Sequence, residues 1–290
     1  MRTTAVWGGH QYGTGDGTQR GQGRLTHPAG SAGGTVGQRR SPLDVVELEL
    51  LAARGWRGTE AQPLGQWLLR AGGAGFTGRA HSALVVGDPG LPLPDAVAAV
   101  EEFYRARGLR PCAQLPGRQA RAADAAFAAA GWERDEDTLV LTVELDDGGP
   151  GPRADVQLAP VPDEEWLAAC RQHGTPLPAD APVVLTNADR LAFASVRAED
   201  GAVVAVARGV LTDDWLGITA VTVAERARRG GLATSLTRAL QSWAADAGAR
   251  WCYLQVVAGN APARELYRRL GFIEHHRYHY RRPPAGGRAG

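Results

Sequence analysis

Residues Val221 to Ala233, Val-Thr-Val-Ala-Glu-Arg-Ala-Arg-Arg-Gly-Gly-Leu-Ala, constrain this chain more than any other stretch. The β-branched start predicts a strand, Arg228-Arg229-Gly230-Gly231 a tight basic turn, and Leu232 the beginning of an amphipathic helix. A strand that feeds a glycine turn and a helix N-terminus leaves a row of backbone N–H groups without partners. The positive end of the helix dipole stands behind them. Such a turn is a seat for phosphate. Glycine is needed where backbone must approach a phosphate closely, so Gly231 is the position least replaceable by a bulkier residue.

The sequence downstream continues in the same order. Leu232, Leu236, Ala239, Trp243 and Ala247 recur at helical spacing, and Gly248 supplies the stop. Arg250 to Val257 is a short apolar run that predicts a buried strand. Asn260 is a good N-cap, Pro262 lies in the first turn after it, and Leu266, Tyr267 and Leu270 share the helix that runs to Gly271. Arg228-Arg229-Gly230-Gly231-Leu232-Ala233 fits (Gln/Arg)-x-x-Gly-x-(Gly/Ala). Leu254-Gln-Val, Asn260, Leu266-Tyr267 and Gly271-Phe272 form a second ordered pattern, one helix and one strand later. Together they resemble the two signatures of the GNAT superfamily, the acetyl-CoA-dependent N-acetyltransferases. The resemblance implies an α+β class chain with a mixed sheet, the GNAT acyl-CoA N-acyltransferase fold. One departure is Val257, where the family often has an acidic residue.

Composition narrows the function classes. At 290 residues the chain suits one large or two ordinary domains, and 44% hydrophobic residues are enough for a buried core. A net charge of +1 gives no case for a nucleic-acid surface or a membrane-adhering one. Every basic residue is arginine, which excludes a phosphate-binding lysine and a lysine Schiff base. Cys112, Cys170 and Cys252 are odd in number and far apart, so neither a disulfide framework nor a zinc site is expected. No apolar run nears the roughly eighteen residues that span a bilayer, and the N-terminus lacks a signal-peptide profile. A cytoplasmic protein, monomeric or homodimeric, is the expectation.

Residues 1–40 hold 11 of the 38 glycines and read as a flexible leader. Ser41-Pro42 caps a predicted helix whose Leu43, Val46 and Leu50 share a face and which ends near Gly55; then come strands at 66–70 and 79–86, a helix from Asp95 to about Arg107, a strand at 110–115, a helix at 119–130 and a strand at 137–145. Residues 146–153, rich in Asp, Gly and Pro, read as a linker. The second half, 154–283, predicts strand 154–158, a helix around 165–170, strands 191–197, 202–211 and 216–223, and then the elements above. Residues 284–290 read as a disordered tail. The halves match in element order and in Gly131-Trp132 against Gly271-Phe272. In that matching Phe127 stands where Tyr267 stands, and Ala120 where Asn260 stands. The chain thus resembles a tandem GNAT protein with a degenerate first copy at 41–145. Gly73-Ala-Gly-Phe-Thr-Gly78 matches GxGxxG, but β-like sequence follows it and a hairpin loop is expected.

The resemblance implies a division of labour at the site. The backbone of Val221 and Val223 would pair with the pantetheine arm of acetyl-CoA. The amides of Arg229, Gly230, Gly231 and Ala233 would cradle the pyrophosphate, with the charges of Arg228 and Arg229 beside it. Asn260 would bond the arm while capping its helix. Tyr267 would protonate the departing thiolate, a phenol of pKa about 10 facing a thiol near 8.5. The general base is not legible: Asp213, Asp214 and Glu225 lie near the motif but read as surface residues. His275, His276 and His279 with Tyr278 and Tyr280 fit a substrate mouth or a core better than a metal site. The expected activity is acetyl transfer to a primary amine of a small molecule or protein, with no metal. A mycothiol-synthase-like acetyltransferase and a non-catalytic acyl-CoA-binding regulator are the alternatives. Peptidyl transfer from charged tRNA fits less well, because the phosphate turn is retained and there is no basic surplus.

Overall fold

The computed structural model describes residues 40–72, 76–145, 151–172, 175–179 and 181–284. The leader, most of the linker, Gly73 to Gly75 of the glycine loop and the tail after 284 lie outside the described residues. Helix α1 (Val45–Gly55) starts not on Ser41-Pro42 but on a capping box in which Asp44 accepts from the Glu47 amide and Glu47 accepts from the Asp44 amide, and it buries Leu48 and Leu51 while Leu50 is exposed. Strands β1 (Glu60–Leu64), β2 (Trp67–Ala71) and β3 (Ala83–Leu84), helix α2 (Leu93–Arg105), β4 (Ala113–Pro116), α3 (Arg121–Ala129), β5 (Glu133–Arg134) and β6 (Thr138–Glu144) complete the first half. The second half contains β7 (Gln157–Ala159), α4 (Glu164–Ala169), β8 (Arg171–Gln172), β9 (Thr175–Pro176), α5 (Ala181–Thr186), β10 (Leu191–Arg197), β11 (Val203–Thr212) and β12 (Trp215–Val223). Helix α6 (Leu232–Asp246), β13 (Trp251–Val257), α7 (Ala261–Arg269) and β14 (Ile273–Arg282) follow.

All strands but β8 and β9 join one 12-stranded sheet ordered β1-β2-β3-β4-β14-β6-β13-β12-β11-β10-β7, with β5 on β14. Each half contains one parallel pair, β3 with β4 and β12 with β13. The last strands are exchanged. β6, which ends the first half, pairs with β13 of the second, and β14, which ends the second, pairs with β4 of the first. β6 and β14 then pair antiparallel at the centre. The exchange explains why the described residues from 40 to 284 form one compact unit.

Helices α6 and α7 cover one face of the second half over Leu236, Leu240, Ile218, Leu254 and Leu141. Helices α2 and α3 cover that same face of the first half over Trp67, Leu69, Val100, Leu115 and Phe127. On the opposite face α1 lies across both halves: Leu48 and Leu51 meet Trp215, Trp251 and Tyr253, while Ala53 meets Leu84 and Val86. Short α4 and α5 flank it over Phe193 and Val206.

Three sequence expectations need correction. The strand expected at 79–86 is reduced to Ala83–Leu84, because Thr77 takes φ +57° and a turn closes with the His81 amide donating to the Gly78 carbonyl. Strand β1 and helix α5 were not read at all. β1 is mostly exposed and lacks an apolar alternation, and α5 is only six residues long, too short to show a helical period. The first strand of the second half begins at Gln157 rather than at 154.

Candidate active site at the divergence of two parallel strands

Strands β12 and β13 run parallel only from the Trp215–Trp251 rung to the Ile218–Leu254 rung, and then separate. Beyond that point β12 keeps β11 on one side and has an open edge on the other. A bulge marks the opening: the register to β11 slips between Arg208 and Val206, and Ala220 takes φ +54°. The Ala224 amide donates to the Val204 carbonyl on β11. Because backbone groups alternate along a strand, Val221 and Val223 turn theirs to the open edge. A bound chain can add to this edge as a strand does.

The edge leads into the basic turn. A single 3₁₀ turn at Glu225–Ala227 precedes Arg228, Arg229 takes φ +65°, and Gly231 caps α6 at φ +77° without a side-chain cap bond. Arg228 through Gly231 are exposed. A Cβ built on Gly231 meets nothing within 4 Å, so backbone conformation and not crowding requires glycine there, and open space lies before it. The amides of Leu232, Ala233 and Thr234, at the start of α6, are those a helix leaves free. Successive amides in left-handed and helical conformations form an anion-binding concavity. The Arg228 Nε lies 3.4 Å from the Val223 carbonyl. Of the four described non-glycine residues with positive φ, Ala220 and Arg229 fall on this path. Backbone strain of that kind gathers at functional sites.

Tyr267 lies on α7 in the core shared with α6, with its ring 5.6 Å from that of Phe272 in an edge-to-face contact. Its hydroxyl takes no hydrogen-bond partner among the described residues. Burial, with a smaller effect from Cys252, pushes the phenol up to about 12. The phenol is therefore a weaker acid than the sequence alone implies. Asn260 caps α7, its Oδ1 accepting from the Ala263 amide at 3.2 Å, and its amide nitrogen is left for a second role.

The remaining candidates are placed elsewhere. Asp213 and Asp214 form the turn before β12, at the far end of the strand from Val221, and Asp213 is paired with Arg54 at 2.5 Å. Glu225 is exposed beyond the opposite end. His276 is buried and bonded to Glu49 at 2.8 Å, and Glu49 also accepts from Gln114 at 2.8 Å. Arg70 continues that chain to Gln114 at 2.7 Å. His275 contacts His276 and the Leu43 carbonyl, and His279 contacts Asp124. These are structural links between the exchanged strand β14, α1 and the first half. Among the described residues no group of three or more His, Cys, Asp or Glu is arranged to hold a metal ion.

A set that sequence reasoning missed lies on the α1 face of the same divergence. Arg79 Nη1 donates to Gln255 Oε1 at 3.1 Å, and the Tyr278 hydroxyl donates to the same oxygen at 3.2 Å. Arg208 is completely buried beside Thr219, and both guanidiniums lie on Trp56. Trp56 is fixed by its Nε1 donating to Thr77 Oγ1 at 2.9 Å. No linear motif could reveal the set, because its members lie between residues 56 and 278 and meet only through the sheet.

The chain also matches known proteins along most of its length. The family described as "Probable histone acetyltransferase Rv0428c C-terminal" matches residues 43–281. The chain belongs to this family. The uncharacterized N-acetyltransferase YobR of Bacillus subtilis (strain 168) is 26% identical over 246 residues, covering 82% of this chain and 98% of that protein. Among solved structures, a GCN5-related N-acetyltransferase from Kribbella flavida has a TM-score of 0.61 at 20% identity, over 83% of this chain and 96% of that one. A tandem GNAT protein from the clavulanic acid biosynthesis pathway has a TM-score of 0.57 at 16% identity, over 85% and 89%. The protein is an acetyltransferase of the GNAT type on a tandem GNAT fold. Within that fold a parallel pair occurs twice, at β3–β4 and at β12–β13; left-handed glycines follow both, Gly87 and Gly90 after β3, but only α6 opens on a glycine cap, Gly231 against Pro92 at α2. Among the described residues no helix is long and apolar enough to cross a membrane.

Proposed function

We propose that this GNAT protein transfers the acetyl group of acetyl-CoA to a primary amine by direct attack, at the divergence of β12 and β13. The reading rests on one continuous path: the open β12 edge at Val221 and Val223 runs straight into the exposed turn at Arg228–Gly231 and the N-terminus of α6. Acetyl-CoA supplies a thioester whose carbonyl carbon accepts the amine and whose thiolate departs. The open edge holds the arm in extended form, so the thioester reaches the strand divergence in a fixed place. The amides of Arg229, Gly230, Gly231 and Ala233, with the charges of Arg228 and Arg229, hold the pyrophosphate. Arg228 must leave the Val223 carbonyl for that. As the N–C bond forms and the C–S bond breaks, Tyr267 gives its proton to sulfur, and the amine loses its own to solvent. The phenol is then reprotonated from solvent.

The family's description names histones, which places a lysine side chain of a basic protein among the acceptors to be tried, alongside small amines. The test is calorimetric titration of the whole chain with acetyl-CoA, followed by assay of free CoA release over a panel of amines. Micromolar-range binding with amine-dependent CoA release is expected. Binding without turnover on any amine would identify a regulator that senses acyl-CoA, and absence of binding would reject the site.

A further inference from the structure

The face of the divergence opposite α6 and α7 carries two arginines, Arg208 and Arg79, that no carboxylate bonds among the described residues. Arg208, 0% exposed on β11, donates to the carbonyls of Leu185 at 2.7 Å and Gly55 at 3.1 Å and lies 3.5 Å from Thr219 Oγ1. Its guanidinium carbon is 4.8 Å from the centre of the Trp56 ring. Arg79 stands 4.9 Å from the same ring. Among the described residues neither guanidinium meets a carboxylate. The two carbonyl acceptors of Arg208 stand at the C-terminal ends of α5 and α1, whose dipoles offset part of the charge, and the remainder favours an anion nearby. Burial first, and Arg79 second, pull Arg208 down to about 9 against an opposing effect of Tyr253, so it stays cationic at neutral pH.

The two arginines also bracket the reacting point. Thr219 and Gln255 are the first residues past the last parallel rung, one on each diverging strand. Their neighbours Ile218 and Leu254 point into the core under α6 and α7. Thr219 and Gln255 therefore point to the α1 face, where Arg208 and Arg79 contact them. The phosphate turn and Tyr267 belong to the α6–α7 face, which leaves the α1 face for the acceptor. Arg79 uses Nη1 on Gln255, while its Nε and Nη2, the side-on fork, take no partner among the described residues. Such a fork matches the two oxygens of a planar carboxylate.

We propose that the acceptor is a primary amine that also carries a carboxylate, bound through the Arg79 fork on the Trp56 ring with the charge of Arg208 beneath it. The proposal rests on the acetyl-transfer reading above. The same charges disfavour the ammonium form of the acceptor, so the amine arrives as the free base without a neighbouring carboxylate to deprotonate it.

The experiment measures kcat/KM, by CoA release, on matched pairs of amino acids and their carboxamides, with spermidine, O-phosphoethanolamine and a lysine-rich basic peptide as further arms. The free carboxylate is expected to exceed its carboxamide by roughly ten- to a hundredfold, the worth of a charge-assisted hydrogen-bonded pair. In Arg79→Gln the ratio should collapse towards one, mainly through KM, with Arg79→Lys between the two. Arg57→Gln, at an exposed pair with Asp189, should keep the wild-type ratio. Acetyl-CoA titration of each variant verifies the fold. If the peptide, spermidine, phosphoethanolamine or the carboxamides are preferred, or if acetyl-CoA binds and no carboxylate-bearing amine is turned over, the acceptor class is wrong while the cofactor site stands. If acetyl-CoA does not bind, the parent reading has failed and this proposal goes with it.

Discussion

Helices α2 and α6 hold equivalent places in the two halves, end alike and begin differently. Each ends on a left-handed glycine, Gly108 at φ +65° and Gly248 at φ +90°, after which the Leu109 amide donates to Tyr104 and the Ala249 amide to Ala244, both at 2.9 Å. The later pair agrees as closely: the Trp132 amide donates to Phe127 and the Phe272 amide to Tyr267, both at 3.0 Å, with the two rings of each half in contact. At the beginnings the likeness stops. α6 opens on Gly231 with no acid in its first turn, whereas α2 opens on Pro92, with Pro94 and Asp95 in its first turn. Proline has no N–H to offer a phosphate, and aspartate repels one. Helix C-caps and buried rings set the shared frame, and helix N-termini set what each half can bind.

The largest effect should follow from damaging the better N-terminus. Gly231→Glu forces a side chain into a left-handed conformation and places a carboxylate against the phosphates. Acetyl-CoA affinity should fall at least about a hundredfold, roughly 2.7 kcal/mol by calorimetry. Asp95→Lys at the corresponding turn of α2 should change neither affinity nor the stoichiometry of one acetyl-CoA per chain. A measured stoichiometry of two would break the comparison.

The sequence revealed those parts of the frame that repeat locally. The glycine stops, the Asn260 cap and the matched Phe127 and Tyr267 are short-range patterns, and the sequence placed each on its element. The exchange of β6 and β14 was not legible, because strand partners are chosen by packing among distant segments, and either arrangement satisfies the same alternation of side chains. For the same reason Arg79, Arg208 and Gln255 gave no signal: each is an isolated polar residue in the sequence, and the sheet alone brings them to one point. Leu91-Pro-Leu-Pro94 carries a further signal that sequence reasoning missed: prolines at a helix start remove donors whatever the packing.

A second contrast concerns the rings at the end of the later helices. Tyr267→Phe keeps the edge-to-face packing on Phe272 and removes the only hydroxyl proposed to serve the departing thiolate. kcat should fall at least roughly tenfold with acetyl-CoA affinity little changed, general acid catalysis being worth about 10²–10⁴-fold and water replacing part of it. Because burial raises the phenol to about 12, the wild-type kcat/KM profile should rise as the free amine deprotonates, and kcat should show no fall from loss of this proton up to about pH 10. The converse change, Phe127→Tyr, should confer no activity. That ring is 0% exposed, so a hydroxyl there enters an apolar core without a partner and should destabilise the fold by about 1–3 kcal/mol. Unchanged turnover in Tyr267→Phe would reduce Tyr267 to the packing role that Phe127 has.

The smallest effect tests the likeness rather than the difference. Gly108→Ala and Gly248→Ala each put a Cβ on a left-handed residue, and at both positions that atom would meet nothing within 4 Å. With no clash at either site, the change in stability is the backbone preference alone, about 1 kcal/mol each. For a unit of this size that corresponds to a fall in Tm of roughly 2–4 °C. Thermal unfolding of the two single variants should therefore give nearly the same shift, and the double variant their sum, since the caps share no contact. Equal shifts follow only if the exchanged strands make the two halves unfold together. Two resolved transitions, with each variant moving only one of them, would show that the halves melt apart and that the β6–β14 exchange does not couple them.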